Sequence, residues 1–112
     1  MKDRKLASRY ARALLAAVRD PAAREQTDAL LTALGRAFES SADLRDAMLD
    51  PAVPREGRRR VLRSIAEPRG LPKTVLTFHD TLVENNRVAA LPTIAVVFHE
   101  ERERAEGVVS AE

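Results

Sequence analysis

Apolar residues recur every three or four positions along most of the chain, and prolines and short polar breaks cut that pattern into six segments. Such spacing is the signature of amphipathic helices. The first segment runs from about Arg4 to Arg19 and carries two adjoining stripes. One is Leu6, Tyr10, Ala13, Leu14 and Ala17; the other is Ala7, Ala11, Leu15 and Val18. Together they cover more of a helix than one buried face requires. Either this is a central helix packed on several neighbours, or one stripe packs inside while the other borders a groove. Asp20 then offers an N-cap, with Pro21 in the first helical position.

The second segment, about Ala22 to Glu39, has a stripe of Ala29, Leu30, Ala33, Leu34, Ala37 and Phe38. Ser40 and Ser41 break it and can cap a short third helix over Ala42 to Leu49, with Leu44, Met48 and Ala47 inward. The fourth, about Pro54 to Glu67, offers Val61, Leu62, Ile65 and Ala66 before Pro68 and Gly70 end it. The fifth, about Leu71 to Asn85, offers Leu71, Val75, Leu76, Phe78, Leu82 and Val83, and adds a row of Thr74, Thr77 and Thr81. Threonine is a mediocre helix former, so the row reads either as solvated surface or as the lining of a shallow groove. Asn85 and Asn86 form a natural stop, since Asn tolerates left-handed geometry. The sixth segment, about Val88 to Ala105, presents Leu91, Ile94, Ala95 and Phe98, flanked by Val97, and needs Pro92 in its first turn. From His99 onward it is almost wholly charged, which predicts an end projecting into solvent, stopped by Gly107. The expectation is an all-α fold: a compact six-helix bundle over residues 1–106, with a tail over 107–112.

Composition narrows the chemistry. The chain has 112 residues, is 45% hydrophobic and 32% charged, and contains no cysteine, so thiolate metal sites, disulfides and cysteine nucleophiles are excluded. His79 and His99 are expected to be partly exposed helix residues, with no third ligand at metal spacing. Neither a nucleophile–base pair nor a glycine-rich phosphate loop is present, so no catalytic residue, metal or cofactor is assigned. No apolar run approaches the roughly 20 residues that span a bilayer, so direct membrane insertion is not expected. The Arg- and Ala-rich opening has the look of an organelle transit peptide, but it reads equally as the first helix and is taken as that.

The net charge is only +2, unevenly spread: residues 1–19 carry six cations against one anion, residues 55–69 six against two, and residues 100–112 two against five. The run Arg58-Arg59-Arg60, with Arg55 and Arg63, could face phosphate backbone. It has no aromatic interleaving, so base stacking is poorly supported and nucleic acid is not the expected partner.

Two segments carry a resemblance. Ser8-Arg9-Tyr10-Ala11-Arg12-Ala13-Leu14 resembles the R-Y-A-(K/R)-A-L opening of the delta subunit of the rotary ATP synthase, whose mitochondrial counterpart is the oligomycin-sensitivity-conferring protein. Leu82-Val83-Glu84-Asn85-Asn86-Arg87-Val88-Ala89-Ala90-Leu91-Pro92 resembles that family's L-x-E-N-x-R-x-x-x-L-P stretch between the fifth and sixth helices, with Asn86 where the family usually has Gly. The order, the separation and the six-segment layout agree with the family over essentially all of the chain.

The resemblance implies a non-catalytic stator that resists rotor torque from the peripheral stalk, at the cytoplasmic face of a bacterial cell membrane. It implies that the N-terminal domain binds N-terminal helices of the alpha subunits of the catalytic head in a groove between its first and fifth helices. Carried over, one wall is Tyr10, Ala13, Leu14 and Ala17, and the other is Thr77, Phe78 and Thr81. It also implies a longer chain. The segment Val108-Val109-Ser110-Ala111 would lead into a C-terminal domain that holds the stalk b subunit and lies beyond this chain. The competing reading is a small helical RNA-binding module of the antitermination-factor type, resting on the basic first and fourth helices.

Overall fold

Helix boundaries in this chain follow from caps that the sequence supplies. In the computed structural model, which describes residues 4–107, Asp20 caps the second helix by accepting a hydrogen bond from the Ala23 amide at 3.0 Å, with Pro21 as its first residue. Ser41 caps the third in the same way, accepting from Leu44 N–H at 3.1 Å. The helices are α1 (Arg4–Ala17), α2 (Pro21–Ser40), α3 (Ala42–Leu49), α4 (Arg55–Ala66), α5 (Lys73–Glu84) and α6 (Leu91–Ala105). Single 3₁₀ turns at Glu67–Arg69 and Val88–Ala90 lead out of α4 and into α6. Among the described residues there is no strand, so the fold is all-α as expected. Asn86 takes the left-handed conformation (φ 56°) and Gly107 does so after α6 (φ 74°), the stops the sequence suggests. No described helix is long and apolar enough to cross a membrane.

The first helix ends two residues before Arg19. Its last carbonyls are taken by Arg24, whose Nε donates to Val18 O at 2.5 Å and whose Nη2 donates to Leu15 O at 2.7 Å. A guanidinium there satisfies orphan acceptors and complements the helix dipole.

The bundle is built around α6, which packs along both α1 and α2 and buries Leu91, Ile94, Val97 and Phe98. The first helix is therefore not the central one. It buries a single stripe, Ala7, Ala11, Leu14 and Val18, and leaves Ala13 and Ala17 exposed. The second helix meets α6 closely at Gly35: a Cβ placed there would lie 3.2 Å from the Pro92 Cα. That close crossing turns the α2 stripe from its expected phase, so Leu31 and Gly35 join Leu30, Leu34 and Phe38 inside and Ala29 is exposed.

Two further expectations are corrected. The charged end of α6 does not project freely. Arg102 donates to the buried Asp28 of α2 at 2.6 Å and to Glu106, while Glu100 and Glu101 pair with Arg4 and Arg12 of α1. Paired charges let a helix end with few apolar residues lie against its neighbours. His79 is buried, not partly exposed. It falls on the inward stripe with Val75 and Leu82, and its Nδ1 lies 2.7 Å from the Val75 carbonyl, which can only accept, so Nδ1 carries the proton. Burial pushes its pKa below the ordinary histidine value, partly opposed by that hydrogen bond and by Asp80. His99 stays half-exposed, as expected. The Val-rich stretch from Val108 lies outside the described residues.

Candidate functional site

Helices α1 and α5 pack against each other. Their seam is fixed by Tyr10, whose ring meets Phe78 edge-on at 6.2 Å between centroids. Its hydroxyl accepts a 3.0 Å hydrogen bond from the Asn85 side-chain amide. Tyr10 lies midway along α1 and Phe78 midway along α5, with Asn85 capping the C-terminal end of α5.

Of the seven residues singled out in the sequence, Tyr10 and Phe78 meet directly, and the other five lie on the same two helices at different depths. Leu14 and Phe78 are buried. Tyr10 is half-buried, and Ala13, Ala17, Thr77 and Thr81 are exposed. On α1, Tyr10, Ala13 and Ala17 follow helical spacing along one edge. On α5, Thr74, Phe78 and Thr81 share one stripe at i, i+4 and i+7, which Asn85 continues at the C-cap. Thr77 lies further outward, between Thr74 and Thr81. Thr81 returns its hydroxyl to the Thr77 carbonyl at 3.0 Å, leaving its methyl as the group available to a neighbour. Ala13, Ala17, Thr77 and Thr81 thus form a strip of small exposed side chains on the two helices that carry the buried Leu14 and Phe78.

Asn85 meets Tyr10 although its sequence position signals only a helix stop, and nothing in its spacing announces a hydrogen bond to a residue 75 positions earlier. Thr74, part of the threonine row, shares the stripe of Phe78.

The basic run takes another form. Arg59 pairs with Glu56 and Glu84, and Arg63 pairs with Asp80, which ties α4 to α5. Arg58 is buried and donates to the Asp50 carbonyl at 2.6 Å. These three positions therefore do not form a continuous free cationic face. At the opposite side of the bundle, Asp28 accepts from Arg102 and from His99 Nδ1 at 2.9 Å. His99 is held protonated above its ordinary pKa, first by the hydrogen bond to Asp28, against burial, with the charges of Asp28 and Glu103 adding to it.

The fold class is a small all-α bundle whose α1 and α5 meet along a seam bordered by small exposed side chains. The sequence locates it within a family. The family model described as ATP synthase delta (OSCP) subunit matches residues 6–112, and the chain belongs to that family. Curated relatives agree. An ATP synthase subunit delta from Bordetella avium (strain 197N) is 36% identical over 103 residues, covering 92% of this chain and 57% of the relative. One from Myxococcus xanthus (strain DK1622) is 34% identical over 97 residues, covering 85% of this chain and 53% of the relative. One from Desulfatibacillum aliphaticivorans is 29% identical over 111 residues, covering 99% and 61%. The chain thus spans little more than half the length of these relatives. No solved structure matches it.

Proposed function

We propose that this chain is the part of an ATP synthase delta subunit that holds the catalytic head, and that it does so by binding an N-terminal helix of the alpha subunit between α1 and α5. The observation that carries this reading is the strip itself: Ala13, Ala17, Thr77 and Thr81 stand exposed on the two helices that carry the buried Leu14 and Phe78, with Tyr10 held by Phe78 and Asn85. An amphipathic helix laid there gains roughly 25 cal/mol per Å² of apolar surface removed from water. Part of that gain offsets the ordering of a flexible segment. A stator contact has to resist torque and release slowly, and it requires no bond-making chemistry, so the role is non-catalytic. The additional length of the relatives is where we place the second domain and its contact with the stalk b subunit, on the cytoplasmic face of the bacterial membrane. The RNA-module reading loses the fourth-helix part of its support, because Arg58, Arg59 and Arg63 are occupied within the fold.

The test is a calorimetric titration of the 112-residue chain with a peptide of about the first 20 residues of an alpha subunit from the same genome, long enough for several helical turns. Saturable 1:1 binding with a negative heat-capacity change is expected. Ala13→Asp should weaken it more than tenfold, since an unpaired charge buried under the peptide costs several kcal/mol. Ala16→Asp, equally exposed on α1 but turned away from α5, should leave it nearly unchanged. Equal effects of the two variants would refute the assignment of the groove.

A further inference from the structure

Among the described residues four polar or charged ones are buried. Thr27 returns its hydroxyl to Ala23 O, Asp28 holds Arg102 and His99, and His79 is buried in the neutral form that its lowered pKa favours, its Nδ1 bonded and its Nε2 without a partner. Arg58 is the one that keeps a charge without a counter-charge. It is only 9% exposed and makes one hydrogen bond, to the Asp50 carbonyl. Its Nε has no partner, and among the described residues no carboxylate pairs with it. Other arginines of the fold are better provided. Arg24 and Arg45 each donate to two backbone carbonyls from half-buried positions, and Arg102 reaches two carboxylates. A guanidinium taken out of water without a counter-charge is among the most costly arrangements a protein interior holds.

Arg58 lines an open concavity of about 340 Å³ where the end of α3, the loop after it and the α5–α6 turn converge. Its other walls are Met48, Leu49, Pro51, Asn86 and Val88. Leu49 is one of the two most exposed large apolar side chains of the described chain, at 47%. The volume is at the lower end of small-ligand pockets, and the lining combines apolar walls with two polar residues, Arg58 and Asn86. We infer that this pocket is a carboxylate site: it takes a carboxylate borne on an apolar body, with Arg58 as its counter-charge and Leu49 and Pro51 as the surface for the body, over the buried Met48 and Val88. A carboxylate in particular matches the planar fork of an arginine. It brings the missing negative charge to a site that already has an apolar wall.

Such a group can arrive as a free carboxylic acid or as an acidic side chain flanked by apolar residues in a peptide, and the two are separated by the probe. Methyl NMR spectra of the 112-residue chain are recorded against 4-phenylbutyrate, against its neutral amide, and against acetyl-Leu-Glu-Leu-amide. Saturable shifts of the Met48, Leu49 and Val88 methyls with either acid, at least tenfold weaker with the neutral amide, are expected. The acid that binds identifies the source. Arg58→Met should abolish the shifts. Because that change also removes the clip to Asp50, Leu49→Glu is the second variant. It leaves Arg58 and its clip in place and supplies a carboxylate from within, so it should lower the affinity at least tenfold in a chain that is still folded. No saturable shift with either acid, equal binding of the acid and the neutral amide, or undiminished binding in folded Leu49→Glu would overturn the inference and leave Arg58 a structural clip.

Discussion

Asp28 is where the bundle's centre is most exposed to a single change. Its carboxylate is 7% exposed and joins α2 to α6 through Arg102 Nε at 2.6 Å and His99 Nδ1 at 2.9 Å. Replacing it with alanine removes a charge-assisted bond to the largely buried Arg102, worth about 1.5–3 kcal/mol. The second bond goes to a half-exposed histidine and, after screening by solvent, adds about 0.5 kcal/mol while that histidine is protonated. Arg102 keeps Glu106 as a partner, so it is not left uncompensated. The expected loss is about 2–3 kcal/mol at pH 6, or a fall in Tm of roughly 10–20 °C for a domain of this size. The pH dependence has a defined sign. His99 has a raised pKa in the folded state, so its contribution is complete below the unfolded value of about 6.5 and is lost as pH rises through the folded value. His79 acts in the opposite sense, but it is present in both proteins and cancels in the difference. Urea unfolding followed by circular dichroism at pH 6 and pH 8.5 measures both quantities. A destabilisation below 0.5 kcal/mol, or a larger one at the higher pH, would refute this account of the α2–α6 contact.

Three shorter predictions follow from the same contacts. Gly35→Val should destabilise by about 1–3 kcal/mol in denaturant titrations, because even the first added carbon meets Pro92 backbone at 3.2 Å and branched methyls force α2 from α6. Proton NMR titration should find His99 above the ordinary histidine value and His79 below it, with Asp28→Ala bringing His99 down and leaving His79 where it was. Tyr10→Phe should cost about 0.5–1.5 kcal/mol by thermal melting, the worth of its hydroxyl's bond to Asn85, while keeping the ring contact with Phe78.

The helices were legible because each carries its own punctuation: Asp20 with Pro21, Ser41, Asn86 and Gly107 all act as their chemistry suggests. What periodicity could not reveal was which neighbour each stripe meets. The two stripes on α1 looked alike, yet the buried line cuts across them, taking Ala7, Ala11 and Val18 from one and Leu14 from the other, because α6 rather than α1 occupies the centre. The phase of α2 depends on a close crossing at Gly35 that is created by tertiary packing. The acidic end of α6 looked solvated because its cations lie in α1 and its carboxylate anchor, Asp28, in α2, far away in sequence. In the candidate site, the motif around Tyr10 led to a residue that meets Phe78 of α5, and helix phase put Thr77 and Thr81 at exposed positions. The depth of Leu14 and Phe78 follows from packing that no local pattern encodes.

The most direct test of the central claim maps where the partner sits. An isotope-labelled sample of the 112-residue chain is titrated with the alpha-subunit N-terminal peptide, and its backbone amide NMR shifts are followed residue by residue. The account predicts saturable changes concentrated at Tyr10, Ala13 and Ala17 on α1 and at Thr74, Thr77 and Thr81 on α5. Changes centred instead on the concavity of about 440 Å³ between α2 and α6, around Gly35, Ala95 and Val96, or no changes in a folded sample, would contradict it.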